Sequence, residues 1–444
     1  MGRQPFGLAS AAAALRAAGT TVVCADLARQ RLEEGVVRQA DVVAFFLPMH
    51  TATRLAIPVI DRVRSINPRA RLIAYGLYAP LTETLLREHG VETIIGGEFE
   101  DELTRSARLQ SRVTDSDAEL KLRATGRAAH VPRVTFRPPD RSGLLPLTKY
   151  ATLQVGTERR TVGYTEASRG CKHRCRHCPI VPVYDGRFRI VPVDIVMADV
   201  RAQVAAGASH ITFGDPDFFN GIGHATAVVT AFAREFPGVS YDVTIKIEHL
   251  LRHDAALPLL SETGCAFVTS AVEAVDDEVL RALEKGHTRA DFELVVERFR
   301  NAGLALSPTF VAFTPWTTLS GYVELLQTIE RLGLIEHVAP IQLAIRLLVT
   351  EGSRLLELED VRQVIRGFSP RSLTYPWAHR DHRVDALQQQ IERLVGVNMA
   401  APRRELFERI WHRSHEAAGL PAAYLTPPLP SRAAVPYLNE PWYC

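Results

Sequence analysis

The chain has 444 residues, of which 46% are hydrophobic and 23% are charged, which is ordinary for globular protein and excludes a disordered, collagenous or coiled-coil chain. Its formal net charge of +2 leaves no global basic field that would indicate nucleic-acid binding. Six cysteines are too few for a disulfide scaffold, and no secretory signal or apolar run of about 18 residues is present. We therefore expect a cytoplasmic protein of two to three domains without a membrane or nucleic-acid partner.

Residues 1–105 alternate apolar runs with amphipathic segments. We predict strands at 20–25, 41–47, 71–75 and 92–95, and helices at 9–18, 51–66 and 81–89. This alternation is typical of a doubly wound α/β domain with a parallel sheet. Such sheets usually begin with a strand, whereas this chain opens on a turn and a helix, so we expect the first strand to be missing.

Residues 106–160 are polar and then rich in proline, which predicts a linker with some helix. Residues 161–350 repeat a strand–helix rhythm, with helices predicted at 195–206, 277–284, 290–301 and 320–332. Six strands are predicted in this part of the chain, at 161–165, 210–214, 241–247, 266–272, 304–313 and 340–348. Six such units predict a partial (β/α)6 barrel, in which functional residues lie at the carboxyl ends of the strands. Residues 351–444 are predicted to be helical at 385–395 and 402–417, with an extended proline-rich tail.

Three cysteines lie close together after the first barrel strand. Cys171, Cys175 and Cys178 have the spacing Cys-x3-Cys-x2-Cys. Three thiolates on one short loop can bind three irons of a 4Fe–4S cluster and leave the fourth iron open to another ligand. The alternative is a zinc site, but structural zinc prefers four ligands, and only His173 or His177 of the same loop could supply the fourth.

This cysteine motif, placed after the first strand of a six-unit barrel, resembles that of the radical S-adenosylmethionine (SAM) enzymes. The resemblance implies that a reduced 4Fe–4S cluster cleaves SAM to methionine and a 5′-deoxyadenosyl radical, which abstracts a substrate hydrogen. It also implies an electron donor such as flavodoxin or ferredoxin. His177 occupies the position before the third cysteine, which is usually aromatic in the family, and we expect it to pack on the adenine.

The resemblance also implies contacts to SAM. The segment from Gly214 to Asp217 takes the place of the family's Gly-Gly-Glu motif, which holds the methionyl amine. The glycine pair and the glutamate are absent, so Asp215 or Asp217 is expected to hold the amine. Glu273 lies where family members bind the SAM ribose.

Further polar residues lie at predicted strand ends. Lys246, Glu248 and His249 end the third strand, where they either serve the site or form a structural salt bridge. Arg346 interrupts the apolar sixth strand and is expected to hold the SAM carboxylate or a substrate anion. His379 and His382 resemble a metal-binding pair, but no third ligand is evident, and a solvated loop is the simpler interpretation.

The N-terminal domain resembles the cobalamin-binding domain that precedes many radical SAM barrels, because residues 97–100 (Gly-Glu-Phe-Glu) match a recurring motif near its end. The Asp-x-His-x-x-Gly loop that supplies a cobalt ligand is absent, as in many radical SAM members. The sequence therefore leaves two alternatives: the domain binds cobalamin, or it only packs on the barrel. Because the first strand is expected to be missing, we expect weak or no cobalamin retention.

Nearly the whole chain resembles radical SAM proteins named for a CUAEP or CCAEP tail, in which U is selenocysteine. The resemblance rests on four segments: 169–180, 213–218, 246–249 and the ending 439–444. It suggests that the chain is truncated at Met1 and, by an unread selenocysteine codon, at Cys444. The leading hypothesis is a radical SAM enzyme acting on a small or medium-sized molecule. The alternatives are a cobalamin-dependent radical SAM methyltransferase and a non-catalytic iron–sulfur or zinc redox protein.

Overall fold

The structure is a computed structural model and describes residues 2–108, 133–398, 401–422, 425 and 436–439. Met1 and Cys444, on which the truncation hypothesis depends, lie outside the described residues, as does most of the proposed tail. The predicted fold class is confirmed: a small parallel α/β sheet precedes a larger curled sheet, and helices follow.

The N-terminal part is built from three short strands and five helices. In chain order they are α1 (Phe6–Ala17), α2 (Glu34–Gln39), β1 (Val42–Phe46), α3 (His50–Ile66), β2 (Arg71–Tyr75), α4 (Glu83–Glu88), β3 (Thr93–Ile95) and α5 (Glu100–Arg108). The strands pair in parallel in the order β1-β2-β3. Their carboxyl ends therefore lie together at one edge, as in other parallel α/β sheets.

The predicted buried strand at 20–25 is wrong. These residues have no regular secondary structure and join no sheet among the described residues, and Val23 is 68% exposed. A strand needs a neighbour to receive its backbone hydrogen bonds. Here the carbonyl of Val22 instead accepts a bond of 3.1 Å from the side chain of Arg16.

The larger part of the chain contains the barrel. Its elements are β4 (Thr152–Val155), β5 (Glu158–Thr165), β6 (Ser168–Gly170), α6 (Val181–Tyr184), β7 (Phe188–Ile190), α7 (Val193–Ala205), β8 (His210–Phe213), α8 (Ile222–Glu235), β9 (Ser240–Thr244), α9 (Ile247–Arg252), α10 (Leu257–Glu262), β10 (Cys265–Glu273), α11 (Asp277–Ala282), α12 (Arg289–Asn301), β11 (Leu306–Phe310) and α13 (Leu319–Arg331).

Five of these strands, β5, β8, β9, β10 and β11, form the parallel half-barrel. All four residues of β8 are buried, as expected for a strand covered on both faces. The helices pack outside the sheet, and their apolar faces merge with it in one continuous core. Because the strands run in parallel, the loops after β5, β8, β9 and β10 meet at one mouth.

Two sequence predictions in the barrel need correction. The predicted sixth strand at 340–348 is a 3-10 turn, Pro340–Leu343, followed by a single parallel bridge between Arg346 and Phe313. The predicted linker at 106–160 contains β4 and the start of β5, which extend the sheet in antiparallel fashion. The apolar run at 340–348 indicates that this segment is buried, but it does not show whether the segment pairs as a β-strand or forms a turn.

The C-terminal part contains α14 (Glu359–Val364), α15 (His382–Val397), α16 (Arg403–Ala418) and the short strand β12 (Tyr437–Leu438). The helices α15 and α16 pack on the barrel core, and β12 pairs antiparallel with β4. No helix in the described part of the chain is both long enough and apolar enough to cross a bilayer.

Candidate active site

The cysteine loop is closed at its base by a hairpin. The strands β6 and β7 pair antiparallel, so residues 171–187 return to their starting point. Gly170 has a φ of 74°, and a Cβ there would lie 2.4 Å from the Tyr184 ring. Only glycine adopts this conformation without strain and leaves room for the ring. The turn into Cys171 therefore has a fixed direction.

The loop backbone is also held from outside. The amide of Arg176 donates to the carbonyl of Leu283 at 3.0 Å, at the end of α11. Arg354 donates to the carbonyl of Arg174 at 2.7 Å, and Ser353 to that of Arg176 at 3.1 Å. These bonds fasten the loop to the end of α11 and to residues 353–354, so its geometry does not depend on the short hairpin alone.

The three thiols suit a metal cluster. Burial raises the pKa of Cys178 to about 12 and also raises that of Cys171. A thiolate in such a place is costly unless a cation compensates its charge, and iron does so directly. The residues present therefore fit the cluster that the spacing predicts, with Cys171, Cys175 and Cys178 as its ligands.

Asn220 was not singled out from the sequence, yet it braces the first cysteine. It follows β8, and its side chain donates to the carbonyl of Gly170 at 3.4 Å and accepts from the amide of Lys172 at 3.3 Å. Its carbonyl oxygen lies 3.8 Å from the sulfur of Cys171. An asparagine after a strand carries no signal of this kind, because the contact spans about fifty positions of sequence.

The two aspartates after β8 have different surroundings. Asp215 accepts hydrogen bonds from the amide of Ala167 at 2.8 Å and from the hydroxyl of Ser168 at 2.5 Å. Burial raises the pKa of Asp215 to about 7. Both of its oxygens are thus engaged by the chain that leads into the cysteine loop. Gly214, which precedes it, has no room for a side chain, since a Cβ would overlap the hydroxyl of Tyr164.

Asp217 keeps one oxygen without a hydrogen bond. Its Oδ1 accepts from the amides of Phe219 at 3.3 Å and Lys246 at 3.4 Å. Its Oδ2 is buried and lies 2.6 Å from Nδ1 of His249, without the alignment of a hydrogen bond. Of the two candidates for the methionyl amine, only Asp217 has an oxygen left to offer.

Glu273 ends β10 at a register shift and has a φ of 70°. A non-glycine residue in this region is uncommon and occurs where the surroundings hold it in place. Its Oε1 lies 3.0 Å from Nε2 of His177 and 3.2 Å from the ammonium of Lys285. Burial would raise the pKa of Glu273, but Lys285 and His177 outweigh it and hold the pKa well below its usual range. An ionised, buried carboxylate therefore stands beside the cysteine loop.

The structure brings Lys246, Glu248 and His249 to the same mouth. The strand β9 stops at Thr244, and these residues belong to the start of α9, not to a strand. The ammonium of Lys246 lies 3.3 Å from Oε2 of Glu248. The two therefore form an ion pair, and they also face the site.

Arg346 is engaged elsewhere. It forms an ion pair with Asp385 at 2.7 Å, donates to the carbonyl of Trp377 at 2.8 Å and lies 3.4 Å above the Trp377 ring. These partners belong to the C-terminal part of the chain. Arg346 therefore fastens α15 to the barrel, and among the described residues its recorded partners do not include the cysteine loop.

A buried ion network joins the N-terminal part to the cysteine loop. Arg169, two residues before Cys171, forms two hydrogen bonds to Glu100 at 2.7 and 3.0 Å and one to Glu166 at 2.9 Å. Glu98 lies 3.6 Å from Arg169 and accepts from the hydroxyl of Tyr184 at 3.1 Å. The motif at 97–100 that resembles cobalamin-binding domains thus contacts the barrel through both of its carboxylates.

We expect Arg169→Met to destabilise the protein by about 3–5 kcal/mol, because it leaves carboxylates buried without their cation. The unfolding transition should shift accordingly, and the cluster should be lost faster in air. Adding Glu100→Gln should restore part of the stability. The control is Arg201→Met, which removes an exposed pair with Glu235 and should change little. Equal effects of Arg169→Met and Arg201→Met would contradict this account.

One histidine, His50, lies at the carboxyl edge of the N-terminal sheet, where a cobalamin would bind in the family that this domain resembles. His50 follows β1 and is buried, and its Nε2 lies 2.6 Å from the carbonyl of Ser372. Its ring also packs edge-on against Tyr78. Nε2 of this histidine is therefore engaged by the C-terminal part of the chain, whereas its Nδ1 has no hydrogen-bond partner among the described residues.

Comparison with known proteins agrees with the geometry of the loop. Residues 165–317 match the radical SAM superfamily. Ribosomal protein uS12 methylthiotransferase RimO of Porphyromonas gingivalis is 27% identical over 196 residues, 40% of this chain and 44% of that protein. Bacteriochlorophyllide d C-12(1)-methyltransferase of Chlorobaculum tepidum is 24% identical over 205 residues, 43% of this chain and 41% of that protein. The chain thus spans less than half the length of these curated relatives.

Two solved structures share the fold over most of the chain. The cobalamin-dependent SAM radical enzyme OxsB, with aqua-cobalamin bound, superposes with a TM-score of 0.66 at 13% identity and covers 86% of this chain and 64% of its own. The radical SAM methyltransferase TsrM of Kitasatospora setae gives 0.56 at 19% identity, with 74% and 68% covered. The cysteine motif, its place at the mouth of a partial barrel and the sequence match at 165–317 together show that this part of the chain is a radical SAM domain, and the superfamily uses a 4Fe–4S cluster and SAM.

Proposed function

We propose that the chain cleaves SAM reductively and begins radical chemistry on a small or medium-sized substrate. The observation that carries the proposal is the placement of the ionised Glu273, with its partners Lys285 and His177, beside a loop that presents three cysteines. A site that only stored a metal would not need a buried, charged carboxylate at this point. The superfamily includes enzymes that act on small molecules and on proteins, and uS12 methylthiotransferase is named for a ribosomal protein.

In this proposal, the cysteines and Glu273 have separate roles. Cys171, Cys175 and Cys178 hold the cluster, and the hairpin of β6 and β7 keeps them on one loop. When bound, the cluster supplies the electron that splits SAM into methionine and a 5′-deoxyadenosyl radical, which removes a hydrogen atom from the substrate. Glu273 would accept hydrogen bonds from the ribose hydroxyls of bound SAM, and Lys285 keeps its carboxylate ionised.

Asp215 supports the loop, and we do not assign it to the amine, because Ala167 and Ser168 occupy both of its oxygens. The electron donor that we expect is a small acidic protein such as flavodoxin or ferredoxin. Lys172, Arg174 and Arg187 surround the loop and would attract such a partner.

A second candidate is a cobalamin-dependent methyl transfer. It is favoured by the likeness in fold to OxsB and TsrM, which extends beyond the barrel to most of this chain. At the edge of the N-terminal sheet, Nε2 of His50 is engaged by the carbonyl of Ser372, so this candidate requires cobalamin without a bond from that nitrogen.

One experiment with two arms tests both candidates. The protein is reconstituted with iron and sulfide, reduced without oxygen and incubated with SAM, with and without hydroxocobalamin. We expect 5′-deoxyadenosine in both arms. Formation of S-adenosylhomocysteine only with cobalamin would favour the methyltransferase. Protein with a complete cluster that yields neither product would contradict the proposal.

A further inference from the structure

Three side chains from separate elements meet beside the cysteine loop, and cluster binding does not account for them. His173 belongs to the loop, Asp217 follows β8, and His249 lies in α9. Nε2 of His173 lies 3.1 Å from Nε2 of His249 and 3.7 Å from Oδ2 of Asp217. One nitrogen or oxygen from each residue lies within 4.8 Å of the others. The three groups therefore surround one small volume.

Two of these side chains are buried, and each has one polar atom without a hydrogen-bond partner. His249 is buried completely and Asp217 almost so. Within the described part of the chain, neither Oδ2 of Asp217 nor Nδ1 of His249 has a hydrogen-bond partner, although they are 2.6 Å apart. Buried polar atoms are nearly always satisfied, so two unsatisfied atoms at one point indicate that a further group binds beside them.

The chemistry of the three groups suits a metal ion. Two imidazoles and one carboxylate are ligands that zinc and ferrous iron accept, with positions left open. A metal-bound imidazole usually faces a second carboxylate with its other nitrogen. Here Nδ1 of His173 lies 3.5 Å from Oε2 of Glu248. That carboxylate also offsets the nearby ammonium of Lys246, which would otherwise repel a cation.

We propose that His173, Asp217 and His249 bind one divalent transition-metal ion, zinc or ferrous iron, in addition to the cluster. The ion sits at the barrel mouth and has at least one open position for water or for a thiolate or carboxylate of a substrate. This assigns Asp217 to a metal and not to the methionyl amine expected from the family motif. The proposal does not depend on SAM cleavage.

The test uses Co²⁺ as the probe on full-length protein that already carries its cluster. We expect one Co²⁺ per chain, bound with visible ligand-field bands. His173→Gln and His249→Gln should each weaken binding by at least about 10-fold, and Glu248→Gln by about 10- to 100-fold. His382→Gln, which removes an exposed histidine at the start of α15, should leave the affinity unchanged. Circular dichroism reports whether each variant folds, and if His249→Gln does not, the partly exposed His173 decides.

Three outcomes would overturn the proposal. The first is that the protein with its cluster binds no Co²⁺. The second is that Co²⁺ binding is lost when Cys171, Cys175 and Cys178 are replaced by Ala, because the thiolates would then be the ligands of the ion. The third is an Asp217→Asn variant that keeps its Co²⁺ affinity and loses affinity for SAM. That result would return Asp217 to the methionyl amine and leave the proposed SAM cleavage intact.

Discussion

Replacing Cys171, Cys175 and Cys178 together by Ala is expected to remove the cluster completely. Acid-labile sulfide in the anaerobically reconstituted protein should fall from about four per chain to none, and 5′-deoxyadenosine formation should stop. The physical reason is that these thiolates are the predicted ligands and that the loop carries no other sulfur. Sulfide is the better measure than iron, because the proposed histidine site could retain one ferrous ion.

The matched control is Cys265→Ala. Cys265 is a buried thiol at the start of β10, and burial raises the pKa of Cys265, so it is a neutral packing group. This variant should keep its sulfide and its visible absorption. A triple variant that retains the iron–sulfur spectrum would show that the cluster assignment is wrong.

Glu273→Gln is expected to weaken SAM binding by about 10- to 100-fold, as loss of hydrogen bonds to a charged group does. The change removes the negative charge that faces Lys285 and His177 and leaves the Lys285 ammonium buried without its partner. The pKa of Glu273 is held below its usual range, so the wild-type carboxylate is already ionised at about pH 6. Its contribution to SAM binding should therefore not vary between about pH 6 and 9. The dissociation constant for SAM measured at several pH values checks both statements.

Glu278→Gln serves as the control, since Glu278 is an exposed residue of the adjacent helix α11. It should leave SAM affinity unchanged. If Glu273→Gln instead binds SAM normally while losing its cluster, Glu273 supports the loop and the proposed ribose contact is wrong.

The local features of this protein follow from its sequence. The spacing of Cys171, Cys175 and Cys178 reports a three-thiolate site because the ligands lie on one loop, so distance along the chain limits distance in space. The helices α12 and α13 were predicted to within one residue at each end, because their apolar residues recur with the helical period. Thr288 and Thr318 are the N-cap residues of these helices.

Contacts between distant segments were decided only by the tertiary structure. An apolar run at 20–25 predicts a strand, yet pairing depends on a neighbour, and Val22 bonds to a side chain of α1. Arg346 looked available for an anion, but α15 supplies Asp385 as its partner. In the same way, Asp215 and Asp217 are equivalent along the sequence, and only their neighbours determine which carboxylate keeps a free oxygen. Sequence patterns report what each segment prefers by itself, whereas partners from distant segments decide which polar groups are satisfied and which are left to bind a ligand.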